Sequence, residues 1–180
     1  MQVYTSEGIV LKRRNSGEAD RLLTIFTKDQ GKLQIKAVGV RKITSRRSAH
    51  IELLNHVTLS LHKGKAAPIL TEAVTVENYS DIKSDLRRVG LAYHICELID
   101  ALCAEGQEQR GIFYLLQNIL ADISKEGNIL QKMYDFEIEL LHQLGFYPKT
   151  EIQKDFNPSY FIESLLERKL KARPLLHKFY

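Results

Sequence analysis

The residue types that could do chemistry in this sequence are cations, and they come in clusters: Lys12-Arg13-Arg14, Arg41-Lys42, Arg46-Arg47, and Lys63 with Lys65. Cations grouped in this way neutralise phosphates. Each neutralised phosphate releases counterions, so affinity falls steeply with salt. The competing reading is an ordinary solvated basic surface. Charge is unevenly spread along the chain. Residues 1–80 carry 13 Lys and Arg against 7 Asp and Glu, a net of +6, whereas residues 81–148 carry 6 against 11, a net of −5. Residues 149–180 carry 7 against 4, a net of +3. Stacking aromatics are scarce in the basic part, where Tyr4, Phe26 and Tyr79 are the only ones and Phe26 reads as core. Binding through these clusters would therefore rest on backbone electrostatics and show little base preference.

Catalytic patterns are missing from the sequence. It has no glycine-rich phosphate loop ending in Lys-Ser/Thr, no His-Glu-x-x-His, no nucleophile elbow and no Cys-x-x-Cys. The histidines His50, His56, His62, His94, His142 and His177 are scattered. His56 and His62 share a strand face but would lie about 20 Å apart, too far for one ion, and read as polar surface. Glu137 with Glu139, and Glu18 with Asp20, read as solvated carboxylates, the latter pair balancing nearby cations. Cys96 and Cys103 are seven residues apart in a helical pattern, about 10 Å along the axis, and read as buried free thiols. Neither an enzyme nor a cofactor or metal is expected.

These clusters need a scaffold. With 44% hydrophobic and 27% charged residues and four prolines, the chain should fold, as one domain or two. It lacks the roughly 18–20 apolar residues of a membrane span, and its first residues lack a signal peptide's apolar run, so a cytoplasmic address is expected. Apolar and polar residues alternate through residues 1–80, predicting five strands near residues 8–13, 21–27, 33–37, 53–62 and 69–76. Turn residues separate them at Asn15-Ser16-Gly17, Lys28-Asp29-Gln30-Gly31 and Lys63-Gly64-Lys65. From Ser80 the period becomes helical, with Ile82, Leu86, Val89, Tyr93, Cys96 and Ile99 on one stripe, capped by Ser80 or Asp81. Further helices are expected over residues 112–123, 129–144 and 158–173. The third helix reads as the central one, and the last carries Arg168, Lys169, Lys171 and Arg173 on its polar face. The expected class is α+β: a five-stranded β-barrel over residues 1–80 and a helical domain over residues 81–180.

Glu7-Gly8-Ile9-Val10-Leu11-Lys12-Arg13, followed by residues 17–27 (GEADRLLTIFT), closely resembles the opening of the RecO family of DNA repair and recombination mediators. The likeness continues through Gly31-Lys32, Gly39-Val40-Arg41-Lys42, Glu72-Ala73, Asp85-Leu86-Arg87-Arg88, Tyr93 and Leu144-Gly145-Phe146-Tyr147-Pro148. This resemblance implies an N-terminal OB-fold barrel that binds single- and double-stranded DNA, and a C-terminal helical domain. It implies strand annealing, and loading of RecA on DNA covered by single-strand-binding protein, with RecR and sometimes RecF as partners. It also implies a cytoplasmic, nucleoid-associated bacterial protein whose helical domain docks the acidic C-terminal tail of single-strand-binding protein. For that tail Arg110, Lys132, Arg168 and Lys169 are the candidate cations. Many members carry a four-cysteine zinc motif after the Leu-Gly-Phe-x-Pro segment; residues 149–154 here contain no cysteine, so a short, zinc-free variant is expected. An adaptor whose barrel docks a protein partner without binding DNA is the alternative.

Overall fold

The structure is a computed structural model that describes residues 3–125, 127–148 and 155–174. His177 and residues 149–154, where zinc was not expected, lie outside the described residues. Five strands, β1 (Val3–Ser16), β2 (Asp20–Thr27), β3 (Gly31–Ala37), β4 (His56–His62) and β5 (Ile69–Glu77), are followed by helices α1 (Ser80–Lys83), α2 (Leu86–Leu102), α3 (Arg110–Ile123), α4 (Ile129–Gln143) and α5 (Pro158–Leu166). The class is α+β, as the alternation of period along the sequence predicts. The chain divides into two compact units, one gathering Met1–Tyr79 with Ala104–Phe113, the other Ser80–Cys103 with Tyr114–Tyr180.

The strands close into a barrel in the order β1-β2-β3-β5-β4, the arrangement of an OB-fold. β1 is long because it serves two neighbours. Its first half pairs with β4 and its second with β2, and Gly8 belongs to both ladders, opposite Val57 and Thr27. A Cβ at Gly8 would stand 2.6 Å from Ile25 Cγ2, so the crossing admits only glycine without a shift. A bulge between Val10 and Lys12 then breaks the alternation and re-aims the strand's basic end. Val10, opposite Ile25 in the β1–β2 ladder, bonds on its other edge to the chain returning from the long connection, through Leu54 N–H to Val10 O at 2.9 Å and Val10 N–H to Asn55 O at 3.0 Å.

Val10, Leu23, Ile25, Ile35, Val57, Leu59, Leu61 and Leu70 fill the barrel and are essentially inaccessible to water. Burying each such side chain contributes about 1.5–3 kcal/mol before entropy is counted. Val40 and Ile51, from the connection between β3 and β4, belong to the same core, so that connection is anchored at both ends. Residues 104–113 lie along the β2–β3 hairpin: Gly106 N–H donates to Lys32 O at 2.8 Å, and Glu105 bridges Lys32. Gly31, at φ +65°, passes so close that a Cβ would fall 1.8 Å from the Gln107 carbonyl oxygen.

In the second unit the helix expected from Ser80 is broken in two. Asp85, extended at φ −121°, accepts the Arg87 N–H and caps α2 afresh. Burial of Gly90, Leu91, His94, Ile95, Leu98 and Ile99 makes α2, rather than α4, the most enclosed helix. α5 begins as expected, with Asn157 accepting the Tyr160 N–H and Pro158 in the first turn, but it stops at Leu166, where Glu167 turns left-handed at φ +51°. Arg168, Lys169, Lys171 and Arg173 therefore lie beyond the helix and form no polar face on it. Cys96 and Cys103 are buried thiols, as the sequence predicts. Among the described residues no helix is long and apolar enough to cross a membrane.

Candidate nucleic-acid interface

One register row runs across the barrel wall: Arg14 pairs with Leu22, Leu22 with Lys36, Lys36 with Ile69, and Ile69 with His62. Neighbouring strands lie about 4.8 Å apart, so the row from Arg14 to His62 covers roughly 20 Å of curved wall. It links the end of β1, the end of β3 and both ends of the β4–β5 loop along one face of the barrel, running from the end of β1 towards the level of its start, where Val3 pairs with His62. Lys12, Arg13 and Arg14 leave from β1, residues 41–47 follow β3, and Lys63 and Lys65 follow β4. The three clusters that the sequence separates by up to fifty residues thus share one face.

Hydrogen bonds tighten the grouping. Arg41 N–H donates to Ala19 O at 2.9 Å, and its guanidinium Nη1 to Gly17 O at 3.0 Å, docking the β3–β4 connection against the β1–β2 turn. Asp20 accepts the Gly39 N–H at 2.9 Å and lies 3.3 Å from Lys36 Nζ. The Gly39 amide, helped by Lys36 and Lys42, holds the Asp20 carboxyl below its ordinary range. Glu52 pairs with Arg13 and lies 3.7 Å from Arg21 Nη1.

The candidates divide by what their charged ends touch. Lys12 and Lys42 are exposed, as is Arg41 apart from its bond to Gly17. Arg14, Arg46, Lys63 and Lys65 are exposed, and among the described residues no hydrogen bond or ion pair holds their side chains. Arg13 is drawn into the Glu52 pair, and Arg47 donates to two backbone carbonyls of the barrel. Lys36 is a cation that sequence reasoning passed over. It sits exposed mid-row, and its position between buried Ile35 and Ala37 was the available signal. Ile43 stands fully in solvent between Lys42 and Arg46. Phe26 is wholly buried and Tyr79 nearly so, leaving neither to stack on a base.

The cations proposed for an acidic tail are not brought together. Arg110 pairs with Asp29 at 2.8 Å and Glu108 at 2.9 Å. Lys132 Nζ reaches Asp122 O at 3.3 Å, Arg168 pairs with Glu97 at 2.8 Å, and Lys169 is exposed. None of them lines the cavity of about 220 Å³ bounded by Leu91, His94, Met133, Tyr134, Glu137 and Phe156.

Two residues read as polar surface are buried. His56 is 2% exposed; its Nε2 lies 2.6 Å from Glu7 Oε1 and its ring meets Phe113 edge-on. Glu137 is 4% exposed, not solvated: His94 Nε2 lies 2.7 Å from Oε1 and Ser159 Oγ donates to both oxygens at 2.9 Å. In this trio the carboxylate, rather than the imidazole, receives the hydroxyl proton, which is the reverse of the order that activates a nucleophilic serine. Strand parity and helix period place a residue on a face, but what covers that face lies elsewhere in the chain.

A closed OB barrel with cations gathered along one face, on a chain that continues into helices, defines the class as an OB-fold protein with a basic face. Residues 1–79 match the family model described as recombination protein O N terminal, and residues 83–151 match recombination protein O C terminal. A DNA repair protein RecO of Roseiflexus sp. (strain RS-1) is 36% identical over 148 residues, 82% of this chain and 52% of that protein. Those of Symbiobacterium thermophilum and Acetivibrio thermocellus are 33% and 35% identical, each covering 82% of this chain and 59% of the relative. The chain belongs to the RecO family, and its match spans between half and three fifths of the length of these relatives.

Proposed function

We propose that this chain acts in DNA repair as a non-catalytic recombination mediator that grips single- and double-stranded DNA along the basic face of its barrel. The observation that carries the reading is the register row, which collects cations from three loops onto one face. Phosphates are the ligand chemistry: Lys12, Arg14, Arg41, Lys42, Arg46, Lys63 and Lys65 would neutralise them, with Arg13 and Arg47 fixing the surface from behind. With Phe26 and Tyr79 buried, the grip rests on charge more than on base stacking, which agrees with binding to either kind of DNA. From family membership we infer annealing of complementary strands and help in loading RecA onto DNA covered by single-strand-binding protein. RecR, the tail of single-strand-binding protein and RecF are the partners that membership suggests. Among the tail candidates Lys169 is the one whose ammonium holds no partner among the described residues. No cofactor enters this reading.

The test is fluorescence anisotropy of a labelled single-stranded oligonucleotide, with annealing to its complement followed in the same samples. Binding that weakens with salt, together with faster annealing, is expected. No binding at low salt would overturn the reading in favour of an adaptor whose barrel docks a protein.

A further inference from the structure

The wall of the barrel has a gap, and the basic connection crosses it. β3 and β5 meet at a single register pair, Lys36 with Ile69; beyond it β5 runs on to Glu77 paired with β4 alone. An unpaired strand edge leaves backbone groups in need of partners. Two side chains of residues 38–55 meet that need. Arg47 donates Nη1 to the Leu70 carbonyl on β5 and Nη2 to the Val38 carbonyl just past β3, both at 2.7 Å, so one guanidinium joins the two lips of the gap. Further along, the Thr75 N–H donates to His50 Nδ1 at 3.2 Å, and Thr75 Oγ1 lies 2.9 Å from the same nitrogen. Asn55 Nδ2 holds the carbonyls of Ala49 and His50 at 3.2 and 2.9 Å, and Val40 and Ile51 are sunk in the core on either side.

We propose that Arg47 and His50 are positioning residues for nucleic-acid binding, clasping residues 38–55 across the β3–β5 seam so that Arg41, Lys42 and Arg46 form a phosphate-binding array before DNA arrives. The proposal rests on the functional reading above and adds the division of labour within it. A loop ordered in advance spends no conformational entropy on binding. Arg47 suits the clasp because a planar guanidinium presents two donors in a fixed fork; a lysine keeps the charge but offers one point donor. His50 suits it because an unprotonated Nδ1 accepts an amide, which no alkyl side chain can do.

Two measurements on the full chain test the clasp. In the first, Arg47→Lys and Arg47→Gln are compared for affinity to labelled oligothymidylate. Both are expected to weaken binding equally, on the order of tenfold, because both lose the two-carbonyl bridge. Wild-type affinity in Arg47→Lys would show that only charge matters there and would overturn the proposal. The second follows native-state hydrogen exchange at the Thr75 amide without DNA. Protection is expected in the wild type and in His50→Asn, whose side-chain oxygen accepts the same N–H, and is expected to be lost in His50→Ala. Equal protection in His50→Ala, or none in the wild type, would overturn the clasp. Since exchange is read without DNA, a chain that bound no DNA would defeat the functional reading while the clasp was still judged on its own.

Discussion

The barrel and the helical unit treat their charges in opposite ways. On the barrel's basic face, acids such as Asp20 and Glu52 pair with cations of the frame, Lys36 and Arg13, and leave Arg14, Arg46, Lys63 and Lys65 facing water. In the helical unit the charges serve the fold. Glu137 is sealed between His94 and Ser159, and Glu163 takes Arg173 and the Leu170 N–H. Glu97 takes Arg168 and two backbone amides. Net charge along the sequence therefore says where cations are, while only their contacts say which are available to a ligand.

The largest effect that would sharpen this contrast comes from His94→Ala. It empties a fully buried site and takes one hydrogen-bond partner from Glu137, and a loss of about 3–5 kcal/mol in urea denaturation is expected. DNA affinity of the protein that remains folded should be unchanged, since no cation of the barrel's basic face is touched. A loss below about 1 kcal/mol would show that the His94–Glu137 contact does not hold the helical unit together.

Next comes reversal of exposed cations. Arg14→Glu combined with Arg46→Glu should lower affinity for single-stranded DNA about 100-fold, near 2.7 kcal/mol, with an unaltered urea midpoint. Unaltered affinity would erase the functional half of the contrast.

The smallest effect concerns Glu97. Burial works to raise its pKa, but the Lys171 amide, the Arg168 guanidinium and the Ala172 amide outweigh burial and hold it below the ordinary 4.5. A carboxyl lowered in the folded state contributes stability above its unfolded value and loses it as pH falls through the folded one. Glu97→Gln should thus cost about 1 kcal/mol at neutral pH, after solvent screening, and the difference from wild type should shrink below pH ~4.5. A pH-independent difference would contradict this role.

Much of the fold was legible because the barrel obeys simple rules. Apolar alternation marked β3 and β4, β-favouring Ile25 and Phe26 marked β2, and Gly17 and Gly31 marked turns. The basic clusters were legible too. Their convergence was not, because it depends on strand register: Arg14, Lys36 and His62 are brought together by pairing partners far away in sequence. Arg47 looked like its neighbour Arg46, since a side chain that donates to backbone carbonyls has no sequence signature. The burial of His56 by Phe113 and of Glu137 by Ser159 depends on segments remote from either residue. The break before α2 was signalled by Asp85, a good cap, whereas the end of α5 at Glu167 had no glycine to announce it.

The most direct test of the central claim, that exposed cations on one face of the barrel are the ones that meet phosphate, is the salt dependence of single-stranded DNA binding in two double variants. Arg46→Gln with Lys63→Gln removes charges from two loops of that face; Lys125→Gln with Lys171→Gln removes two from the helical unit. The slope of log affinity against log salt should fall by about 1.4 in the first, at about 0.7 per phosphate contact, and stay at the wild-type value in the second. Equal changes in both, or none in the first, would contradict the account.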